Sequence, residues 1–141
     1  TFGVGTISEE AKRLLEVTQR ALMAGIAEAK AGNRIIDISR AIQQTVERAG
    51  FSIVRDLVGH GIGRNVHEEP QVPNFVTPGG SPQLMAGMTL AIEPMVNIGG
   101  YEIRIADDNW TVVTKDGSLS AHFEHTVAIK EDGAEILTRL D

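Results

Sequence analysis

The sequence predicts an α+β domain in which two helices cover one face of a mostly antiparallel sheet. Three observations carry this. Helical periodicity is confined to the part of the chain before Gly50. Beyond it, apolar residues fall in short runs separated by Gly, Asp and Asn turn signals, the pattern of successive strands. The length of 141 residues, without a cysteine, suits one domain whose core needs no disulfide or structural metal.

Taken in order, Ser8 is the N-cap of the first helix, with Glu9 and Glu10 in the first turn where the helix dipole favours anions. Leu14, Val17, Ala21, Leu22 and Ile26 recur at helical spacing as far as about Lys30, and Gly32-Asn33 ends the helix. The second helix is expected from Ile36 to Ala49, with Ile38, Ala41, Ile42, Thr45 and Val46 inward and Gly50 as C-terminal cap. Strands are then expected over Phe51–Val58, Met88–Asn97, Tyr101–Ile105, Trp110–Thr114, Ser120–Ile129 and Glu135–Thr138. Gly99-Gly100, Asp107-Asp108-Asn109, Asp116-Gly117 and Asp132-Gly133 mark the turns. A Pro- and Gly-rich loop runs from Pro70 to about Gly87.

Composition excludes several classes of function. With no cysteine there is no thiolate metal site and no cysteine nucleophile. The net charge is −6 with acidic and basic residues interspersed, so no nucleic-acid footprint is expected. No apolar run approaches the roughly 18 residues of a membrane span, and no signal peptide is evident; a cytoplasmic protein is the expectation.

The chemistry concentrates in "GHGIGRNVHEEPQV", Gly59–Val72. A phosphate loop would need a helix immediately after the glycines, and an extended, proline-bearing stretch follows instead. A metal site fits better. His60 is flanked by glycines that permit close approach of another group. Glu93 and Glu124 each interrupt an otherwise apolar strand, where a lone carboxylate costs several kcal/mol unless paired or metal-bound. Alternation puts Ala91, Glu93 and Met95 on one face of their strand, and His122, Glu124 and Thr126 on one face of theirs. The competing reading places each glutamate at a sheet edge or against Arg104. Taken singly, His67 reads as a turn histidine, His125 as structural and Trp110 as a core or sheet-face aromatic.

Together, "GHGIGRNVHEEPQVPN", "MAGMTLAIEPMVN", "DDNWTVVTKDGSLSAHFEHTVAI" and the terminal "EILT" resemble the type I methionine aminopeptidases over essentially the whole chain. The resemblance implies half of a pita-bread fold, the C-terminal half of the catalytic domain over residues 1–141, in a family with a dinuclear centre of Co, Mn, Fe or Zn. It implies that His60 and Glu93 ligate one metal, that Glu124 bridges both, and that Glu93 also moves protons to and from the attacking water. By the same resemblance His67 stabilises the tetrahedral intermediate, and Val66 and Trp110 lie near the methionine pocket. The substrate would be a peptide with N-terminal methionine. Prolidases share the His-Gly-Ile-Gly turn, but the surroundings of Met95 and Trp110 match them less well.

The family's two aspartate ligands and a further histidine lie upstream of the segment matching Thr1-Phe2. The expectation is therefore a half that holds at most one metal, weakly, with little activity alone. It would work with an N-terminal half or with a second copy of itself. The alternative is a non-catalytic module of the same half fold that self-associates or binds protein.

Overall fold

The computed structural model describes residues 1–139. Two helices, α1 (Glu9–Glu28) and α2 (Ile35–Arg48), pack as an antiparallel pair on one side of the sheets. The Ser8 side chain accepts from the Ala11 N–H at 3.1 Å, as its N-cap role requires. α1 stops two residues short of the expected Lys30, because the Asn33 amide reaches back to the Glu28 carbonyl at 2.9 Å. α2 closes in a Schellman arrangement: Phe51 N–H bonds the Val46 carbonyl, Gly50 N–H bonds the Glu47 carbonyl, and Gly50 takes φ +79°. Gly25 of α1 packs directly against α2. A Cβ there would lie 2.8 Å from two atoms of the Ile42 side chain.

The expected stripe of α1 is fully inward. In α2, Ile38, Ile42 and Val46 are buried, Ala41 and Thr45 only half-buried, and Ser39 joins the interior with its hydroxyl donating to the Pro73 carbonyl. These stripes meet Val72, Leu90, Ile92, Val96, Ala121, Val127 and Ile129 in a single core.

All the strand pairings are antiparallel. Among the described residues they form a five-stranded sheet ordered β10-β9-β4-β2-β3 and a three-stranded sheet ordered β1-β5-β8. A separate hairpin, β6-β7, completes the set. The strands are β1 (Ser52–Ile53), β2 (Gly59–Gly61), β3 (Glu68–Val72), β4 (Thr89–Ile92), β5 (Met95–Asn97), β6 (Ile103–Ile105), β7 (Val112–Thr114), β8 (Ser120–His122), β9 (His125–Ile129) and β10 (Ala134–Ile136).

Three sequence expectations are corrected. The strand expected over Phe51–Val58 is only β1, since its neighbour β5 offers a short edge and the chain bends after Val54 bonds the Met95 carbonyl. The two long strands expected over Met88–Asn97 and Ser120–Ile129 are each broken in two. Pro94 has no N–H to donate, so pairing lapses at Glu93-Pro94, and the partner chain lapses opposite it at Phe123-Glu124. Beyond the break each segment enters the other sheet. Finally, Gly59-His60-Gly61 is an interior strand of the larger sheet, with the edge strand β3 on one side and β4 on the other. A Cβ on Gly59 would stand 2.3 Å from the Ala91 carbonyl oxygen, and one on Gly61 would stand 2.2 Å from that of Glu69. The close approach those glycines permit is that of neighbouring backbones.

Candidate metal centre and cleft

Alternation in β5 and β8 sends Val96 and Ala121 into the core, and Met95, Asn97, Ser120 and His122 to the opposite side. There they line a cleft of about 1080 Å³ to which neither helix contributes. His60, His67 and Glu93 also line it, and the β6-β7 hairpin supplies Ile103, Trp110 and Val112 as a wall.

The strand breaks decide where the carboxylates go. Ile92 pairs with His125 and Met95 with His122, so Glu93 and Glu124 occupy the same interruption in two adjacent chains. The backbone carbonyl of Glu93 accepts from the buried Asn74 amide at 3.2 Å. Its side chain is 15% exposed and lies between two imidazoles: Oε1 is 3.4 Å from His60 Nε2, and Oε2 is 3.3 Å from His122 Nε2. One ligand atom each from Glu93, His122 and Glu124 fall within 4.8 Å of one another. His60 Nδ1 lies 2.9 Å from the Gly61 carbonyl oxygen, which requires an N–H on Nδ1 and, in the neutral ring, leaves the Nε2 lone pair towards Glu93. A lone pair facing a carboxylate is unfavourable without a cation or a proton between them. The donors are nitrogen and oxygen, the set suited to first-row divalent ions. The residues present therefore fit a divalent metal.

Of the candidate residues, His60 and Glu93 adjoin each other, and Glu124 joins Glu93 in the compact donor group. The His67 ring centroid lies 4.2 Å from that of His60, tilted by 53°. Trp110 borders the cleft and is 86% exposed, so it is no core aromatic. Val66 is 70% exposed and stands outside the cleft lining. Arg104 lies on β6; the partners of the Glu93 carboxylate among the described residues are the two histidines. His125 turns away, with Nδ1 2.9 Å from the Thr138 hydroxyl. The residue that sequence reasoning left without a role is His122. Its signal was present, since it stands two positions before Glu124 in a segment of strand character, but the length of β8 and its register with β5 were not.

The hairpin wall is set by two aspartates. At its tip, Asp108 accepts from the Trp110 and Thr111 N–H groups at 3.0 and 2.8 Å and from the Thr111 hydroxyl. Those bonds, the Thr111 hydroxyl first, lower its pKa. At its base, Asp116 accepts from Ser118 N–H at 2.9 Å and Gly100 N–H at 2.8 Å. Bonds from Ser118 and then Gly100 hold its carboxyl down at about 2. Asp116 thus ties the two connections of the hairpin together.

The profile described as metallopeptidase family M24 matches residues 1–131. A methionine aminopeptidase of Clostridium perfringens is 63% identical over 138 residues, covering 98% of this chain and 55% of the relative. Methionine aminopeptidase 1 of Bacillus subtilis is 54% identical over 140 residues, covering 99% and 56%. The crystal structure of a Thermotoga maritima methionine aminopeptidase superposes with a TM-score of 0.93 at 52% identity, over 97% of this chain and 55% of that one. The prolidase of Pyrococcus furiosus, at 24% identity, shares the fold with a TM-score of 0.74. The chain spans about half the length of the curated relatives it matches.

Proposed function

On the premise that the chain belongs to metallopeptidase family M24 and has the α+β pita-bread fold of its neighbours, we propose that it forms the C-terminal half of the catalytic domain of a methionine aminopeptidase. The substrate is a peptide with N-terminal methionine. The observation that carries this reading is the meeting of Glu93, Glu124 and imidazole nitrogens, with Glu93, His60 and His122 lining a cleft walled by Trp110 and Val112. Glu93, Glu124 and His60 would hold a divalent cation, whose chemistry is polarisation of a peptide carbonyl and acidification of a water.

The chain's own residues supply the rest. The Glu93 carboxylate takes a proton from the attacking water and returns it to the departing amine. His67, beside His60, donates an imidazole N–H to the oxygen on which charge develops. Trp110 and its neighbours on the hairpin receive the apolar methionine side chain and keep water from it. The cleft is open along that wall, where Trp110, Val112 and Leu119 are exposed. Activity accordingly resides in an assembly in which a further segment with additional carboxylate donors closes the cleft.

The test is hydrolysis of a Met-Gly-type peptide by the closed assembly with added Mn²⁺ or Co²⁺. Release of methionine that is lost in Glu124→Ala and kept in Glu9→Ala is the expected result. No hydrolysis under any metal would overturn the reading. The exposed apolar wall also suits the second reading, a non-catalytic module that self-associates or binds protein. That reading expects the wall to be covered while Glu124→Ala changes nothing.

A further inference from the structure

We infer that Asn74 is a positioning residue: its side chain fixes the chain at the Glu93-Pro94 break and so seats the Glu93 carboxylate in the cleft. The inference rests on the proposed function and assigns to it a residue that lies outside the cleft lining.

Asn74 is fully buried, which for a side chain with two polar ends is costly unless both are bonded. Its Nδ2 donates to the Glu93 carbonyl at 3.2 Å, while among the described residues Oδ1 meets no donor. The Glu93 carbonyl fixes which way the amide points, because it accepts from Nδ2 and would repel Oδ1. An apolar side chain of similar shape would fill the space without an orphaned acceptor. What asparagine adds is one N–H, aimed at the backbone of the residue whose carboxylate handles the proton.

The break needs such a hold. Pro94 has no N–H, so the ladder that carries β4 as far as Ile92 lapses there, and pairing resumes at Met95. Proline also keeps the residue before it extended. With both ends held in strands, the freedom left is rotation of the Glu93-Pro94 peptide plane, and that rotation turns the Glu93 Cα–Cβ bond. A donor on the Glu93 carbonyl removes it.

Asn74 is itself held from the helix layer. On one side of it the Pro73 carbonyl accepts from the buried Ser39 hydroxyl. On the other, the Val76 N–H donates to Gln43 Oε1 at 2.7 Å. Ser39 and Gln43 stand four residues apart on α2, one above the other on one face. Between these ties the Phe75 ring lies 5.7 Å from the Arg55 guanidinium. α2 thus reaches Glu93 through residues 73–76, although it contributes nothing to the cleft. Support of this kind gives a reacting group its precision. Glu93 serves the water rather than the methionine side chain, so losing its seat lowers turnover and leaves substrate binding alone.

The test is Asn74→Leu in the closed assembly, with Mn²⁺ and a Met-Gly-type peptide, beside Val17→Ala, a buried change on α1. The expected result in Asn74→Leu is a fall in kcat of about tenfold to a hundredfold with KM held within about twofold, the scale on which small misplacements cost. Val17→Ala should melt at least as low as Asn74→Leu and keep its kcat. A kcat unchanged in Asn74→Leu, or lowered equally by Val17→Ala, would overturn the inference. A second measurement needs no activity. In the chain labelled with ¹³C-glutamate, Asn74→Leu must shift the Glu93 carbonyl and carboxylate signals and leave Glu135, on β10, in place. A Glu93 carboxylate that does not move counts against the inference. If Asn74→Leu does not fold, Gln43→Ala, which frees Val76 at the α2 end of the same contacts, replaces it in both measurements with the same signs. An active parent matched by Asn74→Leu sinks only this inference. An inactive parent in which Asn74→Leu still moves the Glu93 carboxylate sinks only the proposed function.

Discussion

Glu93 and Glu124 face each other across one shared interruption of two paired chains, between the Ile92–His125 and Met95–His122 pairs. The break lets both carboxylates leave the sheet at the same level, where unbroken strands would have kept each side chain in the pleat. Without a cation the two negative charges oppose each other, that of Glu93 partly buried and that of Glu124 exposed.

That opposition predicts opposite signs with and without metal. Glu124→Gln should raise the melting temperature of the metal-free chain, by the equivalent of about 1 kcal/mol for relief of one close like-charge contact. It should also abolish the rise that Mn²⁺ produces in the unsubstituted chain. Paired thermal melts check both, and a variant melting below the parent in the absence of metal would contradict the first.

The hairpin wall should respond to acid through Asp116. Its folded-state pKa lies below the ordinary 3.8, at about 2, so its contribution is fully present above the unfolded value and is lost as pH falls from near 4 through about 2. Trp110 is the sole tryptophan and sits on the same hairpin. Its fluorescence anisotropy should therefore fall in that window in the parent chain. In Asp116→Asn it should be lower already at neutral pH, and its fall between pH 4 and 2 should be smaller, since Asp108 still titrates there. An anisotropy unchanged by the substitution would show that the hairpin is held by other contacts.

Helix packing should tolerate no added volume at Gly25 unless Ile42 yields. Gly25→Val places new atoms against the buried Ile42 side chain and should cost about 1–3 kcal/mol in urea unfolding. Ile42→Ala removes both atoms that a Cβ at position 25 would strike, so the double substitution should cost less than the sum of the singles. Additive losses would mean that the two sites do not share the space.

Gly59→Ala should be far worse than its size suggests. The new Cβ meets the Ala91 carbonyl oxygen, a backbone atom of the adjoining strand that cannot rotate away. A loss of about 3 kcal/mol or more is expected, together with loss of the His60–Glu93 approach, since His60 pairs with Ala91. Near-parental stability by chemical unfolding would contradict this.

The helices were readable because their signals are local: a Ser8 cap, a 3.6-residue stripe ending at Ile26, and a glycine at position 50 for the left-handed turn. The α+β class followed from strand-length apolar runs after Gly50, and the oddity of Glu93 and Glu124 in those runs marked them as chemical residues. What residue order alone determined is thus which side chains are inward and which carboxylates are out of place. The tertiary structure decided that both strands break at those carboxylates, that His60 lies in an interior strand next to the edge, and that His122 joins the group. Strand register and sheet exchange depend on backbone partners tens of residues apart, through hydrogen bonds that are the same for every sequence, so no local pattern of residue types encodes them.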